Sequence, residues 1–253
     1  MNATIHPGSS HRHKSHAPAQ TAAMRPRHIG LIVLAALLAL LLLVGGVRLL
    51  LAGIADYQTD AFLKAWNKAQ VDPDPRAWAI AEAAAQRAVT LSPAADGERY
   101  HRLAQVYSWK QRSQPYGAAP AADSRRAARD AYRTSVALRP TWPYTWSKLA
   151  HSKLALLEFD AEFAHALRQA TLLGPTRIGV RYELALIGLS AWPRLTPEQR
   201  EGSLASIRFS VAYSHSDAQR LLGSATQMNR LEVFCSALDA PLISSRKLTA
   251  CQK

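Results

Sequence analysis

No acidic residue occurs among the first 47 positions of this 253-residue chain, and from Ile29 to Val47 there is no charge of either sign. The lack of a polar stripe excludes a soluble amphipathic helix over that stretch. At about 1.5 Å per helical residue, "IGLIVLAALLALLLLVGGV" spans about 29 Å, close to the hydrocarbon thickness of a bilayer. It is read as a single transmembrane helix, with the anchor at 29–51. A signal peptide is disfavoured because the apolar run exceeds the usual h-region.

Other absences are as informative. Period-two alternation and apolar β-branched runs between helices are missing, which excludes a parallel sheet and leaves an all-α domain. There is no nucleophile elbow, no phosphate-cradling glycine loop and no HExxH, so no enzyme and no cofactor are expected. Basic clusters interleaved with aromatics are also lacking, so no nucleic acid is expected. His151 and His165 have no cysteine or acid at ligand spacing, which argues against a metal site. Cysteine is reduced to Cys235 and Cys251, 16 positions apart. In an oxidising compartment these two form one bridge; in a reducing one they stay thiols.

Charge is present in excess. Four of the 31 basic residues precede Val47, leaving 27 against 18 acidic residues and a net of +9 from Arg48 onward. Arg25 and Arg27 lie just before the apolar run, which favours a cytoplasmic N-terminus and an exported domain. A basic exported domain can meet an anionic glycan, a headgroup or an acidic protein. Residues 1–28 are Ser, His, Pro and Ala without apolar periodicity and read as a disordered tail. Its His11, His13 and His16 lack the fixed surroundings a metal site needs.

From Asp56 on, Ala, Leu, Arg and Gln with apolar residues three and four apart read as helices, divided by Pro and Gly pairs. Three of them end alike, in "AVTLSP", "SVALRP" and "ATLLGP". The last two prolines are 35 positions apart and the first two 47 apart, the surplus falling in the Pro- and Gly-rich loop 112–122. This punctuation resembles the tetratricopeptide repeat. Tyr100, Leu103, Ala104 and Tyr107 match its first helix, as do Trp146, Leu149 and Ala150, with Lys153 departing at the fourth place. Ala128, Tyr132 and Ser135 match the second helix. Phe163 and Arg181 depart in later repeats. The expected layout is helix pairs over 56–215 and a C-terminal helix and tail over 216–253.

Under that reading Trp146 fills the seam between neighbouring helices, with Pro140 and Pro143 ending one and opening the next. Trp142 and Tyr144 are not required by the repeat and are either partner contacts or an outer cover of the seam. Asp160 and Glu162 lie at a helix start, where acids suit the dipole, so capping is favoured over paired-carboxylate chemistry. Tetratricopeptide-like arrays present residues of their first helices along a groove. Counting from the matched aromatics puts Glu98, His101 and Gln105 on that side of one repeat and Tyr144, Ser147 and His151 on that side of the next.

The ordered stretches "RPTWPYTW", "EFDAEF" and "AWPRLTP" resemble the VpsP-type family of bacterial exopolysaccharide-biosynthesis proteins over about residues 97–200. The resemblance implies a membrane-anchored, repeat-like protein with a role in making or exporting a surface polysaccharide; with the anchor and the charge bias, the expectation is an inner-membrane, single-pass, non-enzymatic scaffold with a periplasmic domain. Its implied partners are other polysaccharide-assembly proteins. Direct binding of an anionic glycan, through Trp142, Tyr144 and the basic surface, is the alternative.

Overall fold

The computed structural model describes residues 26–252. The tail expected over 1–28, with its His11, His13 and His16, lies outside the described residues up to position 25, whereas positions 26–28 already belong to a helix. The described residues form helices and turns without a strand. They divide into two compact units, with the boundary between Val44 and Gly45.

Of the first unit, the described part belongs to helix α1 (Pro26–Ala69). Its apolar side chains from Ile29 to Val44 are exposed, and the helix is long and apolar enough to cross a membrane. The boundary expected between an anchor ending at 51 and a domain starting at 56 does not interrupt α1. The intervening "LAGIAD" contains one glycine and no proline, which is too little to stop a helix.

In the second unit the α1 residues Ala52, Ala55, Thr59, Leu63 and Trp66 are buried, spaced three or four apart on one face. Arg48 donates to the carbonyls of Thr90 (2.9 Å) and Leu91 (3.4 Å). These close α2 (Pro75–Leu91), so a cation sits at the negative end of that helix. There follow α3 (Gly97–Trp109), α4 (Ala122–Leu138), α5 (Pro143–Ala155), α6 (Ala161–Leu173), α7 (Ile178–Ala191) and α8 (Pro197–Tyr213). Each packs on its neighbour in sequence, and α5 also packs on α7, as first helices of successive repeats do. This is a tetratricopeptide-like array of helix pairs.

The sequence marks the helix starts chemically. Pro75, Pro143 and Pro197 stand at first helical positions. Asp74 caps α2 by accepting from the Arg76 and Ala77 amides at 2.9 and 3.2 Å, and Thr196 with Gln199 forms a capping box. Alanines such as Ala104, Ala128, Ala150, Ala166 and Ala170 are buried at the crossings, where their small side chains let helices approach. Gly188 does the same between α7 and α8: a Cβ there would lie 2.4 Å from that of Ser203.

Residues 216–253 are not one helix with a tail. α9 (His215–Gln227) is followed by α10 (Leu231–Ser236), α11 (Ala240–Ser245) and a turn at Thr249–Cys251. Asn229, with φ 58°, breaks the expected long helix. The chain then folds back to bury Phe234, Ala237 and Leu248 against Ile207, Val211 and Leu221. The sulfurs of Cys235 and Cys251 are bonded, with Cα atoms 5.4 Å apart.

Candidate functional site

The seam at "RPTWPYTW" is structural. Trp146 is buried, its indole N–H donates to the Pro140 carbonyl at 2.7 Å, and its ring meets His165 edge-on. Trp142 is half-buried, with the Arg139 guanidinium 4.4 Å from its ring centre and Tyr144 beside it. Tyr144 in turn covers Gly179, where a Cβ would approach its ring to 2.9 Å. These two aromatics lie over the seam rather than in a groove.

A cavity of about 220 Å³ does open between the first helices of the repeats. α3 contributes Gln105 and Trp109, the start of the 112–122 insertion contributes Arg112, α5 contributes Lys148 and His151, α7 contributes Glu183, and Tyr132 of α4 forms part of the floor. Of the groove residues expected from spacing, Gln105 and His151 line it. The others do not. His101 is only 9% exposed, its Nδ1 2.9 Å from the Thr145 hydroxyl and its ring edge-on to Tyr132. Ser147 is 1% exposed and donates to the Tyr144 carbonyl at 2.9 Å. Glu98 is taken up by ion pairs with Arg139 and Arg102. The reason is geometric: α3 and α5 touch near their N-terminal ends, at His101 and Thr145, and leave a gap further along, beside Gln105 and His151.

Spacing missed the charged centre of the cavity. Glu183, largely buried, accepts from Lys148 Nζ at 3.0 Å and lies 2.6 Å from His151 Nδ1. Burial pushes its carboxyl pKa up, but the Lys148 and His151 charges outweigh this and hold it well below the usual carboxylate range. The signal in the sequence was the one acid of a mainly apolar helix, set among Val180, Leu184, Ala185 and Ile187. Tyr116 was also missed. It comes from the 112–122 insertion and packs edge-on to His151 at 6.1 Å. The insertion is pinned by Arg125, which donates to the carbonyls of Gln114, Pro115 and Ala155 at 2.6, 2.8 and 3.0 Å. Gly117, with φ 76°, bonds Ala155 at 2.9 Å and passes so close to Leu157 that a Cβ would clash.

"EFDAEF" has a clear role. Lys153, 1% exposed, donates to Glu158, Asp160 and Glu162 at 3.0, 2.9 and 2.8 Å. Asp160 also caps α6 by accepting from the Phe163 amide at 2.9 Å. The cation that departed from the repeat pattern is the one these three acids surround. Among the described residues, no group of three or more His, Cys, Asp or Glu is placed to hold a metal ion.

Burial of His101, helped by the Lys148, Arg102 and Arg139 charges, lowers its pKa to about 4 from an ordinary 6.5. Between those values the unfolded chain binds the extra proton, so stability present above about pH 6.5 is lost as pH falls towards about 4. The expected loss is about 2 kcal/mol between about pH 7 and about pH 5. Urea titrations of the wild type and His101→Gln across that window check it. The variant should show a flatter dependence, and parallel curves would refute the assignment.

Compared with family models and with curated proteins, the chain matches none.

Proposed function

We propose that the chain is a membrane-anchored, non-enzymatic scaffold that holds a protein partner in the groove between α3, α5 and α7, within a bacterial exopolysaccharide-assembly complex. The observation that carries the scaffold reading is the cavity itself. Successive first helices of an anchored array present Gln105, Lys148, His151 and Glu183 to one space. Such a surface offers donors, acceptors and charges of both signs, which suits an extended peptide better than a densely anionic polymer. The Cys235–Cys251 bond fits an oxidising, periplasmic setting with the anchor in the inner membrane. The polysaccharide setting rests on the sequence resemblance over about residues 97–200.

The test replaces Gln105 and His151 by Ala together. Neither holds a helix cap, and Glu183 keeps its Lys148 partner. Polysaccharide output should fall while the far-ultraviolet circular dichroism of the purified chain stays unchanged. Normal output from the folded double variant would remove the groove from the mechanism.

A further inference from the structure

A second cavity lies beyond Tyr116, and its chemistry differs from that of the groove. Its polar lining is dominated by Arg194, in the turn Trp192–Arg194 after α7, and Arg230, between α9 and α10. Leu154, Leu157, Phe159 and Pro193 supply apolar walls around about 320 Å³. Among the described residues no carboxylate lies within 4.0 Å of either guanidinium, so the cavity carries two cations that no acid of the chain neutralises. Arg230 donates through one terminal nitrogen to the Asn229 carbonyl, while its buried Nε has no partner.

A buried guanidinium N–H without an acceptor is costly, and native structures normally supply one. The C-terminal end of α7 is nearby, but its dipole amounts to about half a negative charge, against two whole cations. The excess of positive charge beside apolar walls suits an anionic group that carries hydrocarbon. Hydroxyl groups in the cavity are few: Tyr116 contributes one, and that of Ser190 already donates to the Leu186 carbonyl at 2.9 Å. Sugar rings need acceptors as well as donors, and these side chains offer mainly donors and hydrocarbon. A carboxylate accepts only, and an apolar group beside it would meet Leu154, Leu157 and Phe159.

We propose that this cavity, lined by Arg194, Arg230 and the apolar walls at Leu154, Leu157 and Phe159, binds the free C-terminal carboxylate of a peptide whose last side chain is apolar. The proposal rests on the scaffold reading in taking the partner to be a protein. Tyr116 faces both cavities, so a chain end held here would lead past it towards Gln105 and His151.

The test uses the full chain in nanodiscs and acetyl-Ala-Ala-Leu as free acid and as amide, with binding followed by ligand-observed NMR. The acid should bind at least about tenfold more tightly than the amide, and Arg194→Gln should erase that preference. Arg194 is exposed and makes no ion pair, so its variant is expected to fold. Arg230→Gln gives the same loss if it folds, which circular dichroism reports separately. Equal binding of acid and amide, no binding of either, or an unaltered preference in Arg194→Gln overturns the proposal. So does tighter binding of a uronic-acid trisaccharide or of inorganic phosphate. Peptide binding and polysaccharide output are separate readouts, so the scaffold reading and this site can fail independently.

Discussion

Replacing Lys153 by Met is expected to destabilise the repeat domain by about 1.5–3 kcal/mol, the usual worth of hydrogen bonds to a charged group, because the acids left behind are partly exposed. The ammonium is almost fully enclosed and donates to Glu158, Asp160 and Glu162 at once. Burial alone would lower the pKa of Lys153, but the three carboxylates outweigh it and raise it, so the group stays charged. Met reaches as far as the Cε position of Lys and fills the apolar part of the same space. What it removes is the charge that lets three acids gather at the turn between α5 and α6.

Arg129 holds Glu158 at 2.5 Å and Arg133 holds Glu162 at 2.7 Å, which limits the damage but leaves Asp160 without a cation. The Arg133 hydrogen bonds, opposed by burial and aided by Lys153, lower the Glu162 pKa to about 2. Its stabilising effect is therefore present above about pH 4.5 and lost as pH falls towards about 2. Lys153→Met should weaken that acid dependence as well. Urea denaturation of the full chain in detergent, at neutral and acid pH, measures both effects. A variant within about 1 kcal/mol of wild type at neutral pH would show that the two arginines alone hold the turn.

Reduction of the Cys235–Cys251 bond, or Cys235→Ser with Cys251→Ser, should cost about 3 kcal/mol, the chain-entropy value for a loop of this size. The bond closes α10, α11 and the last turn into one packed piece whose apolar residues Phe234, Ala237 and Leu248 meet α8 and α9. Exposure of this segment to protease, with and without reductant, should follow the same order. Mass spectrometry of non-reduced peptides from envelope-isolated protein should recover residues 235 and 251 in one linked species. Free thiols at both positions would place the domain in a reducing compartment and overturn the proposed periplasmic location.

Much of this architecture was written in short-range patterns. The uncharged run from Ile29 to Val47, the prolines at helix starts, and the aromatic–Leu–Ala spacing at Tyr100 and Trp146 each act within a few residues, so they can be read without knowing the fold. Lys153 was visible only as a misfit. On a helix, residues two apart face different ways, so the spacing of Asp160 and Glu162 gives no hint of a shared contact. However, α6 begins only at Ala161, so the chain before it brings Glu158 and Asp160 to the same cation that Glu162 meets from the first turn of the helix. The long C-terminal helix failed for a similar reason, since a single left-handed residue, Asn229, redirects the chain and local periodicity carries no warning of it.

The sequence by itself determined the anchor, the all-α class, the succession of helix pairs and the burial of Trp146, because periodicity and capping are local properties of the chain. Only the tertiary structure decided which residues of a shared helix face are open. His101 and Gln105 are one turn apart on α3, yet the first is packed against Thr145 and Tyr132 while the second borders the cavity. Helical spacing sets the direction of a side chain. The distance to the next helix depends on residues far away in sequence, here α5, α7 and the 112–122 insertion that Arg125 ties down. That distance separates a core histidine from a binding residue, and it placed Glu183, Tyr116, Arg194 and Arg230 where no local pattern pointed.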